Sequence, residues 1–276
     1  LFARRLRVPV VLTDIDQGRL DQALEYIHSE IDASLAKGRM GSDDAGRVHA
    51  LVSGSTDPNA FADADWVIEA VFEELSVKQE VFAKFEDVIP ETAILATNTS
   101  SLSVKEIGAK LKHPERLVGF HFFNPVAVMP LIEVVRAPKT NDATLATAMN
   151  VAKQLKKTAV ITADTPGFVV NRLLAKLLGE AMHAVDTGTP FEVVESALDS
   201  FGMPMGPFEL LDLVGLKVGA HVLDTHHAAF PDRFFRSDNL HALAEAGVLL
   251  TRDKAGIITG FDEKARAIVA GGNSPL

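Results

Sequence analysis

The chain has 276 residues, 47% hydrophobic and 23% charged, a globular balance with apolar surface for one large or two ordinary domains. A net charge of −10 without a dense basic run argues against nucleic-acid binding. The absence of cysteine excludes disulfides, a thiol nucleophile and thiolate metal ligands, and no apolar run reaches the ~18 residues of a membrane helix.

Residues 1–7, LFARRLR, read as the end of a helix, with Leu1, Phe2 and Leu6 on an apolar side and Arg4, Arg5 and Arg7 in the last turn, where cations suit the dipole. The first residue is not Met, so the chain reads as cut at its front, and any targeting segment would lie outside it. Residues 8–14, VPVVLTD, form an apolar run closed by an acid, as a buried parallel strand does. In a dinucleotide-binding βαβ unit such an acid binds the adenosine ribose, with the glycine-rich phosphate loop about 20 residues earlier. Only 13 residues precede Asp14 and no G-x-G-x-x-G occurs in the chain. On local grounds Asp14 therefore reads as a cap or turn residue for the helix beginning near Asp16.

Residues 16–37 carry Leu20, Leu24, Ile27, Ile31 and Leu35 at helical spacing, and Gly38 and Gly41 end the helix. A short helix is expected at 43–50 and a short strand at 51–55. Residues 66–72, WVIEAVF, read as a buried strand, followed by Glu73, Glu74 and a helix over 76–88 that carries Lys78. Residues 93–97 form a third strand, which opens into Asn98, Thr99, Ser100 and Ser101. These four could cap the helix expected at 104–111, or face a ligand at the carboxyl end of a strand.

Residues 117–135, LVGFHFFNPVAVMPLIEVV, place His121 at the end of one apolar run and Glu133 inside the next, with the Asn124-Pro125 turn between. A lone acid in an apolar strand is costly to bury without a partner. The two stand 133 − 121 = 12 residues apart, enough for the chain to reverse and bring them together. The carboxylate would then fix the tautomer of the imidazole and raise its basicity. The bland alternative is a satisfied structural histidine.

A helix at 142–156 and a strand at 159–162 complete an alternation of strands and helices that predicts an α/β doubly wound, mostly parallel sheet. From Asp164 onward no strand of similar quality follows. Helices are expected at 168–185, 191–201 and from 208, so residues 163–276 read as a separate all-helical domain, with irregular chain after Gly247. Asn171, inside an apolar helix, needs a neighbouring helix or a ligand as partner. His221, His226 and His227 share one helix without an H-E-x-x-H spacing, so no metal is expected. The GGNSPL end reads as a cut.

Four motifs, NTSSLSV (98–104), GFHFFNPVAVMPLIEV (119–134), DTPGFVVNR (164–172) and PMGPFELLDLVG (204–215), resemble those of the L-3-hydroxyacyl-CoA dehydrogenase family. The wider phrasing is most similar to the dehydrogenase region of a multifunctional fatty-acid β-oxidation α-chain, where a hydratase domain precedes and a helical domain follows. The resemblance implies a Rossmann-like NAD-binding domain over 1–162, truncated at its first strand and glycine-rich loop. It implies His121 as base with Glu133 as its partner, and Ser100 and Asn171 on the substrate's oxygen and thioester. Asp14 would lie on the ribose, Glu73, Lys78 and Asn124 near the nicotinamide half, and Asn98 at the same cofactor edge. It further implies an acyl-CoA substrate, a homodimer or an assembly with a thiolase subunit, and a cytoplasmic setting. The chain departs from the family at TRDKAGIITGFD (251–262), where a basic, glycine-rich ending is usual. Two other readings stay open: a non-catalytic acyl-CoA-binding or docking fragment with an incomplete cofactor site, and an NAD enzyme for a different β-hydroxy acid.

Overall fold

The computed structural model describes residues 1–272; the reading of residues 273–276 as part of a cut end lies outside them. The chain divides into two compact units, Leu1–Phe168 and Val169–Leu276, against an expected boundary after residue 162. In the first unit, α1 (Phe2–Arg5) leads to β1 (Val10–Leu12), α2 (Gln17–Ala36), α3 (Ser42–Leu51) and β2 (Val52–Gly54). Asp16 caps α2 by accepting the Arg19 N–H at 2.8 Å. Asp14 accepts the Asp16 N–H at 3.0 Å, the local turn role that its position suggests. Strands β1 and β2 pair in parallel and, among the described residues, only with each other.

The main sheet follows: β3 (Trp66–Glu69), β4 (Ile94–Thr97), β5 (Leu117–Phe122), β6 (Leu131–Arg136) and β7 (Thr158–Ala163), in that spatial order. Every pair is parallel except β5 with β6. Helix α4 (Leu75–Glu86) and the short α5 (Val104–Ile107) cover one face, and α6 (Asp142–Gln154) covers the other. The strands read as near-continuous apolar runs because helices bury both faces. Phe120, Ile132 and Val134 pack with α6 residues Leu145, Ala148 and Ala152, while Leu95, Leu117 and Val135 pack with Phe82, Val104 and Ile107.

On this second face, Glu69 pairs with Thr97, Thr97 with Gly119 and Gly119 with Val135, a row that crosses four strands. His121 and Glu133 are paired two residues further along β5 and two back along β6. Side chains two apart on a strand share a face. The row and the His–Glu pair therefore lie side by side.

The second unit holds α7 (Val170–Asp186), α8 (Phe191–Ser196), α9 (Pro207–Val214), α10 (Leu216–Ala229), α11 (Asp238–Ala246) and α12 (Glu263–Gly272). Its core joins Met182, Leu178, Phe191, Phe208, Leu223 and Leu243. Helix α7 starts later than expected because Gly167 and Phe168 take φ of 68° and 47°, left-handed values that a helix cannot include. Helix α8 is shorter than the span expected at 191–201, and a 3₁₀ turn at Asp199–Phe201 completes it. The irregular chain expected after Gly247 is in fact an antiparallel hairpin, β8 (Leu250–Arg252) and β9 (Ile258–Phe261), followed by α12. Asp253 builds its turn by accepting the Ala255 and Ile257 N–H groups, both at 2.9 Å.

Gly119 is the tightest point of the row. An added Cβ would stand 2.5 Å from Val135 Cβ and 3.1 Å from Val104 Cγ2. Gly119→Ala must push β6 or α5 away in a core packed like a crystal. A loss of about 1–3 kcal/mol in urea unfolding is expected, since overpacking costs that much; a variant as stable as the wild type would contradict the packing described.

Candidate active site

His121 stands at the carboxyl end of β5 and Glu133 directly opposite on β6. His121 Nδ1 lies 2.8 Å from Glu133 Oε2, with the two residues 5% and 1% exposed. A carboxylate only accepts, so Nδ1 carries the proton it donates and Nε2 is left with its lone pair. The Phe123 and Phe168 rings flank the imidazole, their centroids 4.6 and 5.6 Å away. This apolar collar holds the ring in plane while the hydrogen bond holds its tautomer.

The Asn98–Ser101 stretch follows β4. Asn98 Oδ1 accepts the Phe122 N–H at 2.9 Å and so ties the end of β4 to the end of β5, next to His121. The next three residues do not cap α5. Ser103 caps it, together with Asp164, whose carboxylate accepts the Val104 and Lys105 N–H groups and the Ser103 hydroxyl. Thr99, Ser100 and Ser101 turn instead toward Glu73. Its Oε1 accepts the Thr99 hydroxyl at 2.5 Å, the Ser100 N–H at 2.8 Å and the Ser101 N–H at 3.0 Å.

Glu73 Oε2 lies 3.1 Å from Lys78 Nζ, and Lys78 also donates to Glu69 Oε1 at 2.7 Å. Lys78 and Glu69 are both buried. Burial alone pushes the Glu73 carboxyl upward, but the Thr99 hydroxyl, the Lys78 charge and the Ser100 N–H outweigh it and hold the pKa at about 2. Lys78 is thus engaged by two carboxylates and the Val71 carbonyl.

The first unit brings together His121, Glu133, Asn98 and Phe122 at one edge of the sheet, and Glu73, Lys78 and Ser100 at the neighbouring strand ends. Asn124 is exposed, in the loop after β5, at a cis bond to Pro125. Asp14 lies two residues past the end of β1, in the turn that leads into α2. Asn171 lies in the second unit, in the first turn of α7. Reading of the sequence passed over Glu69, Asp164 and Phe168. The first carried a usable signal, an acid inside the apolar WVIEAVF, the same anomaly that marks Glu133.

The sequence model of the 3-hydroxyacyl-CoA dehydrogenase NAD binding domain matches residues 1–165, and that of the 3-hydroxyacyl-CoA dehydrogenase C-terminal domain matches residues 167–260. The chain is 39% identical over 232 residues to a fatty acid oxidation complex subunit alpha of Idiomarina loihiensis, covering 84% of this chain and 33% of that one. It therefore spans about a third of the length of that relative. A 3-hydroxybutyryl-CoA dehydrogenase from Escherichia coli superposes with a TM-score of 0.83 at 36% identity, over 89% of this chain and 53% of the other. The (S)-3-hydroxybutyryl-CoA dehydrogenase of Ralstonia eutropha gives 0.84 at 30% identity, over 89% and 88%. With both family domains matched in order along nearly its whole length, the chain belongs to the 3-hydroxyacyl-CoA dehydrogenase family of NAD-dependent oxidoreductases.

Proposed function

We propose that this chain oxidises the 3-hydroxyl of an L-3-hydroxyacyl-CoA to a ketone, a step of fatty-acid β-oxidation, with His121 as general base. The observation that carries the reading is the buried His121–Glu133 pair, which leaves Nε2 as the acceptor at a strand's carboxyl end.

In this reading Nε2 takes the hydroxyl proton and Glu133 stabilises the imidazolium that forms. The Ser100 hydroxyl donates to the substrate oxygen as charge shifts there, and Asn171 holds the thioester region. The donor set fits NAD at its ribose and nicotinamide ends. Asp14, two residues past the end of β1, offers a carboxylate suited to ribose hydroxyls and hostile to a 2′-phosphate. Glu73, Asn98 and Asn124 would lie along the nicotinamide side. When bound, NAD supplies the hydride acceptor. Lys78 is enclosed by its carboxylates, so its contribution to that edge passes through Glu73.

The relative's role as a complex subunit, together with Leu173, Phe201 and Leu213 standing exposed in the second unit, supports assembly with a second copy or a thiolase subunit. No helix among the described residues is long and apolar enough to cross a membrane. A cytoplasmic setting is part of the same proposal.

His121→Gln keeps a donor toward Glu133 and removes the base. It is expected to fold with a near-native urea midpoint and to lose about 10²- to 10⁴-fold in kcat on 3-hydroxybutyryl-CoA with NAD⁺; turnover close to wild type would refute the assignment.

A second expectation concerns acid. The Glu73 carboxyl titrates at about 2 in the fold against an ordinary 4.5, so the stability it contributes is complete above 4.5 and is lost as pH falls toward 2. The gap in urea-unfolding stability between wild type and Glu73→Gln should be level above that range and close below it. A gap that grows on acidification would show that the carboxyl is not held in its ionised form.

A further inference from the structure

We infer that Glu73 is a positioning residue for Ser100, mounted on the buried Glu69–Lys78 ion pair. The inference deepens the functional reading above and rests on it for the role of Ser100.

The mount is fixed from the sheet outward. Glu69 lies in the cross-strand row, where Oε2 accepts the Thr97 hydroxyl at 2.7 Å and Oε1 accepts the Val71 N–H at 2.6 Å. Lys78 projects from α4 onto that same Oε1, and the Val71 carbonyl accepts from its ammonium at 3.3 Å. Each partner is buried with at least two polar contacts, the condition under which a buried ion pair holds a single geometry. The ammonium of Lys78 can therefore move little, and it draws Glu73 Oε2 to one place.

The two oxygens of Glu73 then divide their work. Oε2 meets Lys78, while Oε1 gathers the Ser100 and Ser101 N–H groups and the hydroxyls of Thr99, Ser100 and Ser101. Two carboxylates face one ammonium, and the converging N–H dipoles answer the excess negative charge. Successive amides aimed at one point repel each other unless an anion sits there. The backbone of Ser100, and with it the direction of its hydroxyl, is set by that oxygen. The Ser100 Oγ contact to Glu73, at 3.4 Å, is longer than the 2.8 Å contact from its N–H, so the anchor on Glu73 is chiefly through the backbone.

The test reads hydrogen exchange at the Ser100 and Ser101 amides by NMR, alongside turnover of 3-hydroxybutyryl-CoA and NADH affinity by fluorescence. Glu73→Ala should speed exchange at both amides by about tenfold or more, the loss of a bond to a charged acceptor, and Glu73→Gln, which keeps an acceptor oxygen, by less. In Glu73→Ala, kcat should fall by about tenfold, a larger loss than any weakening of NADH affinity that follows from its place beside the nicotinamide, the pattern of an interaction realised mainly in the transition state. The double variant Glu69→Gln/Lys78→Met removes the mount without stranding a buried charge, and should speed the same exchange. Unchanged amide exchange in Glu73→Ala overturns the proposal whatever turnover does. So does weakened NADH binding with kcat intact, which would make Glu73 a cofactor contact only. Unchanged exchange in a folded double variant overturns the part played by Glu69 and Lys78; if that variant does not fold, the Glu73 variants decide. A wild-type chain inert toward 3-hydroxyacyl-CoA would defeat the functional reading, while the amide exchange would still decide this one.

Discussion

A carboxylate placed inside an apolar sheet must be met by donors, and that constraint shapes this site. Strand β6 carries Glu133 and strand β3 carries Glu69, each almost wholly buried. An isolated ionised carboxyl there would cost far more than a domain's net stability, so each has drawn in a partner. Glu133 has taken an imidazole and Glu69 an ammonium with a hydroxyl and an amide. The two solutions differ in consequence. An imidazole has a second nitrogen to offer, so the Glu133 partner faces outward with a lone pair. An ammonium has only further protons, so the Glu69 partner reaches onward to a second acid, Glu73.

The row that joins these carboxylates explains why α4 and α5 pack where they do. Glu69, Thr97, Gly119 and Val135 cross the sheet at one level, and His121 with Glu133 form the adjacent level. Gly119 leaves no side chain between Thr97 and Val135, which lets Val104 of α5 come down onto the sheet. Asp164 fastens the start of α5 from the segment just before the second unit. The loop with Ser100 is thereby held at both ends, by Glu73 at its start and by the Ser103–Asp164 cap at its finish.

Most of the first unit is legible in the sequence because its strands are continuous apolar runs and its helices carry strict periodicity. Residues 16–37 and 142–156 show the pattern plainly. The His–Glu pair is legible for a different reason: one buried acid without a neighbour demands a partner, and twelve residues of separation with a Pro turn supply it. What escaped reading had weaker or conflicting local signals. Glu69 breaks an apolar run as Glu133 does, but it closes its strand, where an acid also looks like the start of a turn. The hairpin at 250–261 is short and broken by Arg252, Asp253 and Lys254, so its Thr–Ile alternation is diluted below notice. The late start of α7 depends on left-handed backbone at Phe168, a residue type that gives no warning of it. Its reason is tertiary: Phe168 is buried in the core beside the imidazole.

The reversal between β5 and β6 is the step from which the site's geometry follows. A parallel partner for β5 would need a crossover of a dozen or more residues, and its side chains would meet those of β5 in a staggered pattern. The antiparallel return makes the trip through the short Asn124–Pro125 loop and sets His121 and Glu133 directly opposite each other. Register then decides everything. A slip of one residue would turn Glu133 to the other face, among Phe120, Leu145 and Ala148 and away from His121, and would aim Ile132 or Val134 at the imidazole. The burial cost of the acid therefore acts as a selector for the register that also assembles the base. In this sheet the group that polarises the histidine is the group that penalises a one-residue slip in the pairing.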